Sequence, residues 1–366
     1  MTSMPEQIRQ RVKRGEPISG EDLHGLSFAG MDLAGAMFNA LNLNGVDFSD
    51  CDLRDSVFSD CRLEHALFTR ANLKQTAFNQ CAMSASRFSE SHIELTMFNE
   101  CRLEQGDFSR LPLTQSHWMS CQLAGANFSA TQHDRTTFYE SPLDGATLEH
   151  ARLSLVTFFR LTLCNTEFAG ADFDRVTFFE CDHRGKSYAG QRLIACQFTD
   201  NQLDDVDFSQ ATLRQSNFKG ASLRRANLTG VQAQQSLWLE ANLTQAQCRS
   251  GQFDQAIFSE ATLDAANFNQ ARLYQGVFQH SRAARCDFSD SDLTYADFCY
   301  ADIGAADFRR ARFMRTRMHR AHQQQTRWGD RSGILERDEE LYAAEIWSAQ
   351  RQSAFERIDH FTRGSP

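Results

Sequence analysis

No stretch of this 366-residue chain approaches the roughly 18 consecutive apolar residues of a membrane-spanning helix. The N-terminal segment MTSMPEQIRQRVKRGEPISG is charged and lacks the apolar run of a secretory signal. A basic surplus is also missing. The formal net charge is −9, which argues against a general binder of nucleic acid or anionic membrane. A cytoplasmic protein without membrane contact is expected, with its 11 cysteines as reduced thiols. The motifs GxxxxGK[ST], HExxH and GxSxG do not occur, so no catalytic residue, cofactor or metal is expected. Polar aromatics are scarce, with 6 Tyr and 4 Trp against 30 Phe. Phe brings bulk without a polar group to satisfy, so this bias implies many dry interior positions of one shape.

What the chain has instead is a period. In SVFSDCRLEHALFTRANLKQTAFNQ, residues 56–80, large apolar residues fall at Phe58, Leu63, Phe68, Leu73 and Phe78. The same frame holds at every number ending in 3 or 8 from Leu23 to Met318, 60 positions without a slip. Leu dominates the first set and Phe the second. Two residues before each stands a small one, as at Ala71, Ala126, Ala211 and Ala296. In a helix a step of five rotates the side chain by about 140°, and in a strand it flips the side chain to the other face. One large and one small inward position per five residues fit a backbone that turns a corner every five residues.

The units ANLTQ, ANFNQ, ADFRR, CDLRD and ADFDR resemble the A(D/N)LXX consensus of the pentapeptide-repeat family. The resemblance covers residues 21–320. It implies an all-β solenoid, a right-handed quadrilateral β-helix of 15 coils with 20 residues each, about 70 Å long at the usual strand spacing. It also implies Leu on two opposite faces and Phe on the other two, with stability built up from neighbour contacts along the rod. Residues 1–20 are expected to form an N-terminal helical cap, with a helix over 3–14, Ser3 as its cap and Pro5 in its first turn. Residues 321–366 are expected to form a loop and a helix carrying Leu341, Tyr342, Ile346, Trp347, Phe355 and Ile358, as a second cap or a dimer contact.

Some units fit poorly. His133, His183 and Lys186 fall at inward positions, Pro112 and Leu111 interrupt another unit, and Ala233 and Cys248 replace larger residues. Local bulging or a splayed coil is expected there, above all at 181–190. Cys61, Cys81, Cys101 and Cys121 recur every 20 residues and should stack as inward small residues, free of metal. His319 and His322 read as solvated loop residues. Asp47, Asp52, Asp172, Asp292 and Asp307, each just before a large residue, are expected to bond backbone donors at corners.

A solenoid works through its outside. On the face that carries Phe58, Phe78 and Phe98, the outward positions include Met97, Met119, Tyr139, Phe159, Phe179, Leu237, Leu239 and Ile257. They form an apolar stripe that suits a protein partner or a second copy. Beside it runs an acidic column of Asp60, Glu100, Glu140, Glu180, Asp200, Glu240 and Glu260. The resemblance implies a bacterial, non-enzymatic interaction scaffold. Its alternative implication is a mimic of duplex DNA that binds a topoisomerase through the carboxylates, with no direct nucleic-acid contact. The segment RDEELYAAEIW is similar to tails of family members tied to type VI secretion, which adds export by a signal-less system as an alternative location.

Overall fold

The structure, a computed structural model, describes residues 3–349. The corner that a step of five demands is made by the backbone itself. Nearly every residue numbered in 0 or 5 from Gly20 to Gln325 has positive φ, between 45° at Glu140 and 81° at Gly20. Many corners close as turns with positive φ at their third residue, as where the Val46 N–H donates to Leu43 O at 3.2 Å. Four corners complete a coil, and the next coil lies parallel to it with a register of 20 residues. Phe38 stands opposite Phe58, Phe58 opposite Phe78, and Phe78 opposite Phe98. The result is a right-handed quadrilateral β-helix of about 16 turns.

Each face is named here by one inward residue: Leu63, Phe68, Leu73 or Phe78. The Phe78 face carries a nine-stranded parallel sheet from Ile18–Ser19 to Thr177–Phe179. The Leu73 face carries six strands from Ile93–Glu94 to Arg192–Ile194. Elsewhere single bridges hold most coils, as between Leu237 and Ile257, and two short strand pairs close the far end.

The large residues of all four faces meet inside. Phe rings stack along each of the two Phe faces, as Phe78 on Phe98 at 5.1 Å and Phe68 on Phe88 at 5.0 Å. The two stacks meet edge to face across the core, as Phe68 and Phe78 do at 82°. Both geometries suit the ring quadrupole. Leu on the remaining faces closes the interior, and residues such as Leu63 and Leu73 are fully buried.

The poor units do not bulge. His183 is buried and bonds Tyr188 Oη at 2.8 Å, while bridges at Asp182 and Ser187 keep the ladder whole. His133 lies between the Thr131 and Thr136 hydroxyls at 2.9 and 3.0 Å. Lys186 turns its ammonium to Thr166 O and lies over the Phe168 ring at 5.4 Å. Leu111 is buried, and Pro112 points outward on a strand. Where Leu228 and Cys248 leave the Phe68 stack short of rings, Phe253 enters from the Leu73 face, at 5.6 Å from Phe268 and 6.2 Å from Trp238. These residues thus bring a hydrogen-bond partner or a compensating volume, which keeps the frame intact, and Ala233 stays buried on its face.

At the N-terminus a helix, α1 (Met4–Lys13), buries Ile8 and Val12. Ser3 is its N-cap residue and Pro5 sits in its first turn. Arg11 pairs with Glu21 and Lys13 with Asp32, which fixes α1 against the first coils. Ladder pairing starts at Ile18 opposite Phe38 and runs past residue 320. Trp328 stands opposite Phe308 and stacks on it at 4.9 Å. Ile334 then pairs with Thr316, where the register breaks from 20. A second helix occupies 339–349, with Asp338 Oδ1 accepting the Leu341 N–H at 3.0 Å. Phe355 and Ile358 lie outside the described residues.

Candidate interaction face

The Phe78 face gathers most of the exposed large apolar side chains of the rod's first half. Met37, Val57 and Met97 project from its strands, and Leu95 and Leu155 stand on the corner that leads into it. All five are between 37% and 44% exposed. Leu95 and Leu155 have φ of 53° and 54°. A large aliphatic side chain at a corner filled mostly by polar residues or Gly was the signal in the sequence that could have found them.

Met119, Tyr139, Phe159 and Phe179 follow one another in ladder register on the same face and are half-buried rather than fully exposed. Tyr139 stacks on Phe159 at 4.8 Å and Phe159 on Phe179 at 5.4 Å, with their planes within 10°. This outer stack runs parallel to the inner one of Phe138, Phe158 and Phe178. Leu237, Leu239 and Ile257 are also half-buried. They form a separate patch, because Gln197, Thr199, Asn217 and Lys219 fill the rungs between.

The acidic column lies on the corner that leaves the Phe78 face, and all seven members have positive φ. It is not a continuous negative stripe. Arg160 occupies the rung between Glu140 and Glu180 and pairs with both, at 3.5 and 2.7 Å. Its guanidinium also lies over the Phe159 ring, 4.9 Å from the centroid. Glu100 accepts from Gln80 at 2.9 Å, and Glu240 meets Lys219 at 3.4 Å. Asp60, Asp200 and Glu260 complete the column.

At its far end the same face is occupied. The 339–349 helix lies across outward positions of the last coils. Glu345 accepts from Tyr300 Oη and from Arg320 Nε at 2.7 Å, and meets His319 Nε2 at 3.1 Å. These bonds hold the Glu345 carboxyl down to about 2. Asp338 pairs with Arg317 at 3.2 Å, and its N–H donates to His319 Nδ1. His319 is therefore buried beneath the helix, not solvated, and His322 Nδ1 lies 3.0 Å from Asp302, one coil back. The sequence spacing hides both carboxylates, because one is a coil away and the other arrives on a folded-back helix.

Groups with chemical potential are mostly sealed or tied down. Cys61, Cys81, Cys101 and Cys121 are free and buried. Their thiols face main-chain carbonyls, as Cys101 Sγ faces Phe78 O at 3.3 Å and Cys121 Sγ faces Phe98 O at 3.2 Å. At the equivalent place Cys181 is pushed up to about 12 by burial, far from the thiolate that nucleophilic chemistry needs. Burial holds His133 and His183 down to about 3. Asp47, Asp52, Asp292 and Asp307 each accept the backbone N–H two residues on, at 2.9 to 3.2 Å. Asp172 instead meets Arg192 on the next coil at 3.3 Å. Among the described residues no cluster of His, Cys, Asp or Glu is arranged to hold a metal, and no helix is long and apolar enough to cross a membrane.

Comparison with known proteins returns repeat architectures. The profile described as "Pentapeptide repeat region" matches residues 21–94 and 111–188. The profile "Pentapeptide repeats (8 copies)" matches 192–236, 241–279, 277–310 and 292–322. Among solved structures, HetL, a pentapeptide repeat protein involved in heterocyst differentiation regulation in the cyanobacterium Nostoc sp. strain PCC 7120, is 16% identical. It covers 68% of this chain and 89% of its own, with a TM-score of 0.22. Full-length QnrB1, a plasmid-mediated fluoroquinolone resistance protein, is 15% identical over 57% of this chain and 96% of its own, with a TM-score of 0.32. A pentapeptide repeat protein of the Arabidopsis thaliana thylakoid lumen is 27% identical over 31% of this chain and 68% of its own, with a TM-score of 0.15. No curated protein matches.

Proposed function

Because this chain belongs to the pentapeptide repeat family, we propose that it is a non-enzymatic interaction scaffold whose working surface is the Phe78 face. One observation carries the reading. Met37, Val57, Leu95, Met97 and Leu155 lie exposed on one side of the rod, beside the outer aromatic stack of Tyr139, Phe159 and Phe179. A contiguous apolar strip of this kind marks a protein contact, whereas single exposed apolar residues do not. The stacked thiols from Cys61 to Cys121 and the His133 and His183 rings are buried out of reach of a substrate. The carboxylate corner supports a DNA-like surface less well, since Arg160 and Lys219 neutralise part of it.

The test is Phe159→Asp combined with Phe179→Asp. Both side chains point outward, so circular dichroism and melting should stay close to those of the unmodified chain. Capture of the protein's partner from its native host should be lost. Undiminished capture by the double variant would move the working surface to the carboxylate corner.

A further inference from the structure

We infer that the occupant of the Phe78 face is a second copy of this chain, docked face to face with the two rods antiparallel. This rests on the proposed use of that face and names its partner. Part of the apolar pattern is symmetric about one level of the rod, while Met97 comes opposite Gln197 and Leu155 opposite Arg135. The outer stack from Met119 to Phe179 has its midpoint between the rungs of Tyr139 and Phe159. The exposed pair Met37 and Val57 lies on one side of that midpoint, and Leu237 and Ile257 lie at matching distances on the other. The ladder keeps a constant step of 20 between these rungs, so equal offsets in number are equal distances along the rod.

A two-fold axis through this midpoint, along the strand direction, reverses the rod while each column faces itself. Tyr139 then meets the second copy's Phe159, and Met119 meets its Phe179. Val57 meets the second copy's Leu237, and Met37 meets its Ile257. Such an isologous contact satisfies the same patch on both copies. On the corner, Glu140 faces the second copy's Arg160, and Arg160 faces its Glu140. The remaining opposed carboxylates, Glu100 with Asp200 and Asp60 with Glu240, sit on the rim, where water and salt screen them.

The docked C-terminal helix selects this orientation over a parallel one. Parallel rods would bring the two 339–349 helices into collision, since both lie on this face at the level of Tyr300 and Arg320. In the antiparallel arrangement the second copy's first strand, at Ile18, falls opposite Phe278. The helix therefore clears the end of the second rod. It comes level with the second copy's α1, where Arg9, Arg11 and Lys13 would approach Asp338, Glu339 and Glu340. The shared length is about 13 rung spacings, about 62 Å, and a strip about 10 Å wide gives about 600 Å² per copy. The total of about 1,200 Å² sits at the lower end of specific interfaces, which fits a micromolar dimer.

Sedimentation of the full chain from about 1 to about 100 µM should show a monomer–dimer equilibrium. Phe159→Asp with Phe179→Asp should leave monomer only, with unchanged circular dichroism. Orientation is read by crosslinking. Val57→Cys mixed with Leu237→Cys should give a disulfide-linked dimer under mild oxidation, and Val57→Cys alone should not. The two sites are nine rungs apart in one chain, about 43 Å, so the bond must join two copies. A chain that stays monomeric at about 100 µM overturns the proposal, as does a dimer in which Val57→Cys links to itself. Monomeric behaviour together with loss of partner capture in the aspartate double variant would leave the scaffold reading standing while this proposal fails.

Discussion

Phe159 and Phe179 lie parallel on the outside of the rod, their ring centroids 5.4 Å apart, on the opposite side of the same two strands from the stacked inner pair Phe158 and Phe178. An outer stack of this kind shields part of its own apolar area and leaves the rest for a partner. It also draws Arg160 onto the Phe159 ring.

Phe268 is fully buried, stacked on Phe288 at 5.3 Å and edge-on to Phe258 and Phe278. Phe268→Ala should destabilise by about 3–5 kcal/mol. Coupling in a solenoid passes between neighbours, so hydrogen exchange should rise first in the adjacent coils. Uniform loosening from Ile18 to Trp328 would contradict this.

The thiol column of Cys61, Cys81, Cys101 and Cys121 should resist a maleimide in the folded protein and react fully in denaturant. Native mass spectrometry should show no zinc. Rapid labelling of all four before unfolding is the contrary result.

Glu345 is held down to about 2 from an ordinary 4.5 by Tyr300, Arg320 and His319. A depressed carboxylate favours the docked helix fully above about pH 4.5, and that contribution is lost as pH falls towards about 2. Protection of 339–349 against hydrogen exchange, taken relative to the intrinsic rate at each pH, should therefore fall through this window, and Glu345→Gln should already have lost that protection at neutral pH. A pH-independent helix would refute it.

His133 is buried and stays neutral in the folded chain down to about pH 3, whereas unfolded histidine takes up a proton near 6.5. Folded stability should therefore fall as pH drops from about 6.5 to about 3. His133→Leu restores the residue usual on its face and should flatten the dependence of melting temperature on pH in that range. Identical pH profiles for the two proteins would count against it.

Leu155 combines a φ of 54° with 40% exposure. That conformation is unfavourable by roughly 1–2 kcal/mol for a residue with a Cβ. Leu155→Gly relieves it but loosens the unfolded chain, so the melting temperature should hold or rise slightly. Leu155→Val, branched at Cβ, should lower it. A clear loss in the glycine variant would mean that Leu155 supports the fold rather than the surface.

The frame from Leu23 to Met318 was legible from its local period and the N-terminal helix from Ser3 and Pro5 at its start, while the sorting of Leu and Phe onto opposite faces followed from the resemblance to the pentapeptide-repeat family. The responses to irregular residues were not legible. Phe253 filling the space beside Cys248, and Tyr188 bonding His183, become neighbours only once the coil closes. The stripe from Met119 to Phe179 could be placed by counting in twenties. Its partial burial and the intrusion of Arg160 could not, since they depend on side-chain reach between rungs. His319 was hardest to read, because Glu345 returns to it from 26 residues away.

The constant register gives this molecule a quantised anatomy. Removing 20 residues from its middle takes out one rung and leaves every column in line. Removing five keeps the inward frame but turns everything downstream by a quarter of the rod's circumference. The Leu237 and Ile257 patch would then look out at right angles to the Met37 and Val57 patch, on a rod whose interior still packs. Azimuth, not only length, is thus written in the repeat count, and an otherwise silent indel between the two patches becomes a change of direction.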